Sequence, residues 1–240
     1  MMLADSPTTT QAGTLGPDVH PFGTARYALM EFIADQLPRW RDNPKRKPRT
    51  SETDLTDQLC DHLNSAAYYS NAWSHIQFRT EVSDETYGAR KIDLAAKPRP
   101  ATLLVDGRWY SPFDTLLPVE CKRLPTPKGS DRDEREYVTT RPPATTGGIQ
   151  RFKFGYHGAA HVVAAMIAYV QDQTTLHWVD KVNGWIQALS AQAGSAWSGA
   201  DMLQVLSDES VEGLCTLHSR HTRTCGLPEC QLRHLWIRMH

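Results

Sequence analysis

Two short apolar runs carry ionisable side chains within them. KIDLAAK, 91–97, sets Asp93 between Ile92 and Leu94, and PVECKRL, 118–124, sets Glu120 and Lys122 around Cys121. Both runs read as strands. Solvated charges are not expected between apolar neighbours without a purpose. Residues two apart on a strand share a face, so Glu120 and Lys122 emerge side by side. A neighbouring strand bearing Asp93 completes a cluster of acid, acid and base.

The rest of the chain predicts the scaffold. Tyr27, Leu29, Met30, Ile33, Ala34 and Leu37 fall at helical spacing over 24–40, and Pro38 is expected to stop or kink that helix. RWRDNPKRKPRT, 39–50, reads as an extended basic linker, either a solvated loop or a phosphate-contacting strap. A second helix starts at Thr50 or Ser51 as N-cap, with Glu52 in its first turn and Leu55, Leu59, Leu63 and Ala66 as its apolar stripe. Strands are expected over 75–82, 89–97, 101–112 (a hairpin turning at Asp106-Gly107) and 115–124, the last at an edge or bulge because of Pro118. A polar stretch, 125–148, reads as a mobile loop. A helical turn at 149–160, a buried strand at 162–170, a helix around Trp178 and Trp185, and two C-terminal strands follow.

This order implies an α/β fold with a central mixed sheet flanked by helices. The 240 residues suit one domain, taken as 24–240 with a C-terminal β-hairpin extension, after a flexible arm over 1–23. The longest apolar run, 159–170, has 12 residues and contains His161, too short to span a bilayer. The N-terminal stretch has no basic and apolar pattern of a secretory leader, so a cytoplasmic location is expected. A net charge of −1 excludes a polycationic DNA-packaging protein but leaves room for local basic patches.

The chemistry of the embedded charges is that of phosphodiester hydrolysis. Two carboxylates hold a hard cation such as Mg²⁺, with Mn²⁺ as a substitute, and that cation polarises a phosphate and acidifies water. A lysine beside them orients the attacking water or stabilises charge on phosphoryl oxygens. An isolated E-x-K is also an ordinary surface ion pair; the apolar neighbours of Asp93 and Glu120 distinguish this one.

Asp93, 26 intervening residues and Glu120-Cys121-Lys122, preceded by a helix bearing Glu52, resemble the PD-(D/E)XK nuclease superfamily. The resemblance covers roughly residues 50–170. It implies a restriction-endonuclease-like fold and an Mg²⁺-dependent deoxyribonuclease, acting in bacterial defence against phage or foreign DNA, the favoured setting, or in repair. It makes Asp93, Glu120 and Glu52 metal ligands, Lys122 the catalytic lysine and Gln150 a further catalytic residue. Arg151 and Lys153 become DNA contacts. A homodimer or an activating partner protein is compatible with cutting both strands. Ile92 stands where the family name has proline, and the Gln150–Tyr156 spacing differs from the Gln-x-x-x-Tyr form of the recombination-type members.

The C-terminal segment offers a second reading. Cys215, His218, His221, Cys225, Cys230 and His234 are of the ligand class that accepts zinc, at spacings that match no standard finger. They are either a structural Zn²⁺ site or incidental residues of a hairpin, and a zinc site would suit a non-catalytic nucleic-acid- or protein-binding subunit. Arg220, Arg223, Arg233 and Arg238, with Trp236 nearby, either grip a nucleic-acid backbone or line a solvated face.

Overall fold

A computed structural model describes residues 24–129, 132–209, 211–224 and 226–239; the arm expected over 1–23 lies outside them. The elements run α1 (Thr24–Arg41), α2 (Glu52–Tyr68), β1 (Ile76–Ser83), β2 (Lys91–Pro98), β3 (Leu103–Val105), β4 (Arg108–Tyr110), β5 (Leu117–Leu124), α3 (Gly148–Lys153), β6 (Val163–Val170), α4 (Thr175–Ser190), β7 (Gln204–Glu209), β8 (Leu214–His221) and β9 (Cys230–Arg238). Seven strands form one mixed sheet in the order β1-β2-β5-β6-β9-β8-β7, and β3 and β4 make a separate two-stranded hairpin. The architecture is therefore α/β, with helices on both sides of a large sheet. No helix among the described residues is long and apolar enough to cross a membrane.

Strand alternation divides the core in two. Val119, Cys121, Ala165, Ile167, Leu235 and Ile237 pack with the apolar stripes of α1 and α2. Leu124, Ala164, Met166, Leu232 and Trp236 pack with α3 and α4 on the other face. α2 begins as its sequence directs: the Ser51 hydroxyl accepts the Asp54 N–H at 3.1 Å, and Leu55, Leu59 and Leu63 are fully buried. The β3–β4 turn follows from its residues as well. Asp106 and Gly107 have φ of 50° and 76°, the left-handed pair that a two-residue hairpin turn requires.

Several expectations are corrected. β5 is a central strand, not an edge: Pro118 pairs with Ala95 of β2, and the parallel ladder to β6 begins one residue later, at Val119–Ala165, so the missing N–H of Pro118 falls outside that ladder. Pro38 lies within α1, which continues to Arg41. There Trp40 and Arg41 are buried, and the Arg41 guanidinium donates to the Glu212 and Arg238 carbonyls at 2.6 and 3.2 Å. The basic stretch is thus partly structural, since Arg46 also stacks 5.3 Å over the Trp40 ring.

The stretch read as a mobile loop is docked where it is described. Tyr137 and Val138 are fully buried, and the N–H groups of Gly148, Ile149 and Gln150 donate to the carbonyls of Glu136, Tyr137 and Val138 at 2.9–3.1 Å. β7 was not anticipated; its residues are mostly exposed and carry no apolar alternation. The C-terminal hairpin is built into the central sheet, because β9 runs parallel to β6 from Gln231 to Arg238.

Candidate active site

β2 and β5 pair only over Leu94–Val119, Ala95–Pro118 and Ala96–Leu117. Beyond Leu94 and Val119 the strands part, and the charged residues occupy the fork. Asp93 Oδ2 accepts the backbone N–H of Cys121 at 2.8 Å, substituting for the lost ladder partner. Lys122 Nζ lies 2.9 Å from Glu120 Oε1, 3.1 Å from Glu52 Oε1 and 3.5 Å from Asp93 Oδ2. Three carboxylates from two strands and one helix therefore converge on a single ammonium, which also donates to the Cys121 carbonyl at 2.9 Å. Glu52 reaches the cluster because the Ser51 cap starts α2 at that residue.

Burial grades the acids. The Glu120 side chain is wholly inaccessible, while those of Asp93 and Glu52 retain 19% and 24% exposure. Burial alone would raise the Glu120 carboxyl, but the Lys122 and Arg151 cations outweigh it and hold the group well below the usual carboxylate range. Asp93 moves the other way: burial, reinforced by the charge of Glu120, pushes it up to about 7 against the pull of Lys122. For Lys122, burial opposes the charge, yet Glu120, Asp93 and Glu52 together raise it well above the ordinary lysine value. Near neutrality the site holds a charged Lys122–Glu120 pair beside an Asp93 that exchanges a proton readily.

α3 supplies the opposite wall. Arg151 makes a direct ion pair with Glu120 Oε1, so the residue expected on a DNA phosphate faces the acid cluster. Gln150 does not join the carboxylates. Its Oε1 faces the Gly147 and Thr140 N–H groups at 3.3 and 3.4 Å and holds the start of α3 to the preceding loop. Lys153 is corrected outright as a DNA contact. It is 1% exposed, and its ammonium bonds Asp201 Oδ1 and Oδ2 at 2.8 and 3.1 Å and the Thr222 carbonyl at 3.2 Å.

His157 was missed by sequence reasoning. Its Nδ1 lies 3.4 Å from Glu120 Oε2, and both atoms are buried without a hydrogen-bond partner. A signal existed in GYHG: Gly155 and Gly158 both take positive φ, 66° and 59°, and so direct the chain sharply around this histidine.

The donor set suits a hard divalent cation. Glu120 Oε2 is an orphaned buried acceptor, and carboxylate oxygens are what Mg²⁺ and Mn²⁺ take. Asp93 and Glu120 would hold the ion, with Glu52 alongside. Among the described residues no three His, Cys, Asp or Glu side chains are already disposed as a ligand set; the Lys122 ammonium occupies the point on which the carboxylates converge.

The Cys/His segment forms something else. Cys225 lies outside the described residues, and Cys215 and Cys230 are buried free thiols. His218 sits on the opposite sheet face from Cys215, His221 and Ser219. Both ring nitrogens of His221 and His234 are engaged: Asp201 Oδ1 to His221 Nδ1 2.7 Å, His221 Nε2 to Ser219 Oγ 2.7 Å, Ser219 Oγ to His234 Nε2 2.8 Å, and His234 Nδ1 to the Tyr137 hydroxyl 2.7 Å. Trp236 Nε1 donates to that hydroxyl at 2.8 Å. One proton order satisfies every member: Trp236 to Tyr137 to His234, then His234 to Ser219 to His221 to the Asp201 carboxylate. These histidines are not presented to a metal. Arg223 is also internal, donating to the His161 carbonyl at 2.7 Å, and Trp236 is fully buried.

Comparison with protein-family models, curated proteins and solved structures gives no match to this chain.

Proposed function

We propose that this protein is a metal-dependent endonuclease of restriction-endonuclease-like fold that hydrolyses DNA phosphodiester bonds. The observation that carries the reading is the convergence of Glu52, Asp93 and Glu120 on Lys122 at a fork between strands. A surface ion pair needs one acid; here three acids face Lys122 and Arg151, so one carboxylate charge is left over once Asp93 is ionised, and it suits a further cation.

In this reading Asp93 and Glu120 hold Mg²⁺, Mn²⁺ serves as a substitute, and Glu52 is an accessory ligand. The bound ion supplies Lewis acidity toward the phosphate and lowers the pKa of water. Lys122, whose ammonium is held by Glu120, Glu52 and the Cys121 carbonyl, would exchange a carboxylate taken up by the metal for the attacking water or a phosphoryl oxygen. Arg151 exchanges Glu120 for a phosphate oxygen when DNA enters, since a guanidinium fork fits either anion. Exposed Lys47 and Arg49, just ahead of Glu52, add sequence-independent backbone contacts. A cytoplasmic role in bacterial defence, with a second copy or a partner protein for double-strand cutting, follows the family resemblance.

The test is nicking of supercoiled plasmid by wild type and Lys122→Ala, each with Mg²⁺ and with EDTA. Nicking by wild type alone, and only with Mg²⁺, is expected. Equal nicking by both proteins would remove the assignment.

A further inference from the structure

The arginine-bearing C-terminal strands contain a feature that the carboxylate site does not use. In the β8–β9 ladder His218 faces Arg233 and Arg220 faces Gln231. Side chains two apart share a face, so these four residues lie together, on the side of the sheet where Leu235 and Ile237 meet the α1 core. With Tyr27 they line a concavity of about 240 Å³. Tyr27 and Gln231, joined by a hydrogen bond, also line a second concavity of about 500 Å³ that continues past Arg26, Arg108, Tyr110 and His161. The two adjoin at this Tyr27–Gln231 wall, giving a groove in two parts.

The charge in this groove is positive and held in place. Arg26 is committed to the fold through Asp106, the Tyr110 hydroxyl and the Leu116 carbonyl, which leaves exposed Arg108 and Arg220 and the largely buried Arg233 on the groove. Arg108 stacks 4.6 Å over the Tyr110 ring and Arg233 5.5 Å over the Tyr27 ring. Stacking on a tyrosine face fixes the guanidinium plane and leaves its edge donors free. Arg233 Nε is buried without a hydrogen-bond partner, and the nearest acid, Glu31, stands 3.8 Å from its guanidinium and is itself largely exposed.

The geometry points to this groove as a binding site for the phosphodiester backbone of single-stranded nucleic acid, separate from the carboxylate cluster. Arg108 in one part and Arg220 with Arg233 in the other offer guanidinium forks to the phosphates of one strand. Each tyrosine already carries an arginine on a face, so the contacts we assign are to the backbone and independent of sequence. Concavities of about 240 and 500 Å³ are of a size to hold single nucleotide units, which one strand presents without the partner strand of a duplex. The choice of nucleic acid over an acidic polypeptide rests on the phosphodiester reading of the carboxylate site.

The experiment measures fluorescence anisotropy of a labelled mixed-sequence single-stranded DNA in EDTA, so that binding is read without cleavage. The expected result is salt-dependent binding by wild type. It should weaken at least about tenfold in Arg108→Gln/Arg220→Gln/Arg233→Gln, with the log–log salt slope falling by about 0.7 per arginine removed. Arg108→Lys/Arg220→Lys/Arg233→Lys keeps the charge and should recover most of the affinity, which separates binding from a folding defect. Binding is read in EDTA and plasmid nicking separately with Mg²⁺, so wild-type binding without nicking would fail the nuclease reading alone, and nicking with binding indifferent to the arginines would fail the groove alone. Three results would overturn the inference: no binding by wild type, binding by the glutamine triple variant within about twofold of wild type, or equal displacement by polyglutamate at matched charge.

Discussion

Asp93 Oδ2 accepts the Cys121 backbone N–H at 2.8 Å where β2 and β5 stop pairing. One side chain therefore closes the end of a sheet ladder and presents a carboxylate to the fork. Asp93→Asn keeps the acceptor and removes a charge that burial opposes, so its unfolding free energy should stay within about 1 kcal/mol of wild type. Asp93→Ala leaves a buried N–H without a partner and should lose about 1–3 kcal/mol. Urea denaturation of the two variants checks the order; equal stabilities would mean that the bond does not hold the fork.

The same carboxyl titrates at about 7, so protons and a divalent cation compete for it. Below that pH Asp93 is mostly neutral, and Mn²⁺ affinity should rise with pH from 6 to 8, approaching about tenfold per unit at the acid end. Calorimetric titration of wild type and Asp93→Asn reads this directly. The variant should bind weakly with a flatter profile, and an identical slope in both would assign the titration to another group.

The buried histidine chain predicts acid sensitivity. Burial holds His221 below its ordinary value, only partly opposed by Asp201, and holds His234 further below. The fold therefore holds fewer protons on them than the unfolded chain, which protonates them below about 6.5. The unfolded state then binds more protons, so stability falls as pH drops through this range, by up to about 1.4 kcal/mol per unit for each histidine. Denaturation midpoints at pH 7 and 5.5 should differ clearly in wild type and less in His234→Gln.

Lys153 provides a contrast with a surface contact. Its ammonium neutralises Asp201 in the core, and Lys153→Met should destabilise the protein by about 3–5 kcal/mol by leaving a buried charge unpaired. A lysine that only touched DNA would leave the thermal midpoint unchanged.

Residues whose surroundings are set locally were legible in the sequence. Ser51 caps α2, Asp106-Gly107 turns the β3–β4 hairpin, and strand alternation brings Glu120 and Lys122 to one face. What escaped depends on distant partners. Pro118 suggested an edge because the sequence does not reveal that the β6 ladder starts one residue beyond it. The polar stretch before α3 looked free because Tyr137 finds His234 and Trp236 nearly a hundred residues away. Lys153 looked like a phosphate contact because Asp201 lies 48 residues downstream. His157 carries no strand or helix pattern, and only the fold brings it to Glu120.

The proposed cleavage chemistry depends on the carboxylates that surround Lys122. Single-turnover hydrolysis of an end-labelled duplex, with Mg²⁺ and with EDTA, by wild type and Asp93→Asn/Glu120→Gln, is the most direct measurement. The prediction is cleavage by wild type that needs Mg²⁺ and falls at least about a thousandfold in the double variant, the loss of about 4 kcal/mol of transition-state stabilisation. Cleavage that persists in EDTA, or equal rates for the two proteins, would contradict it.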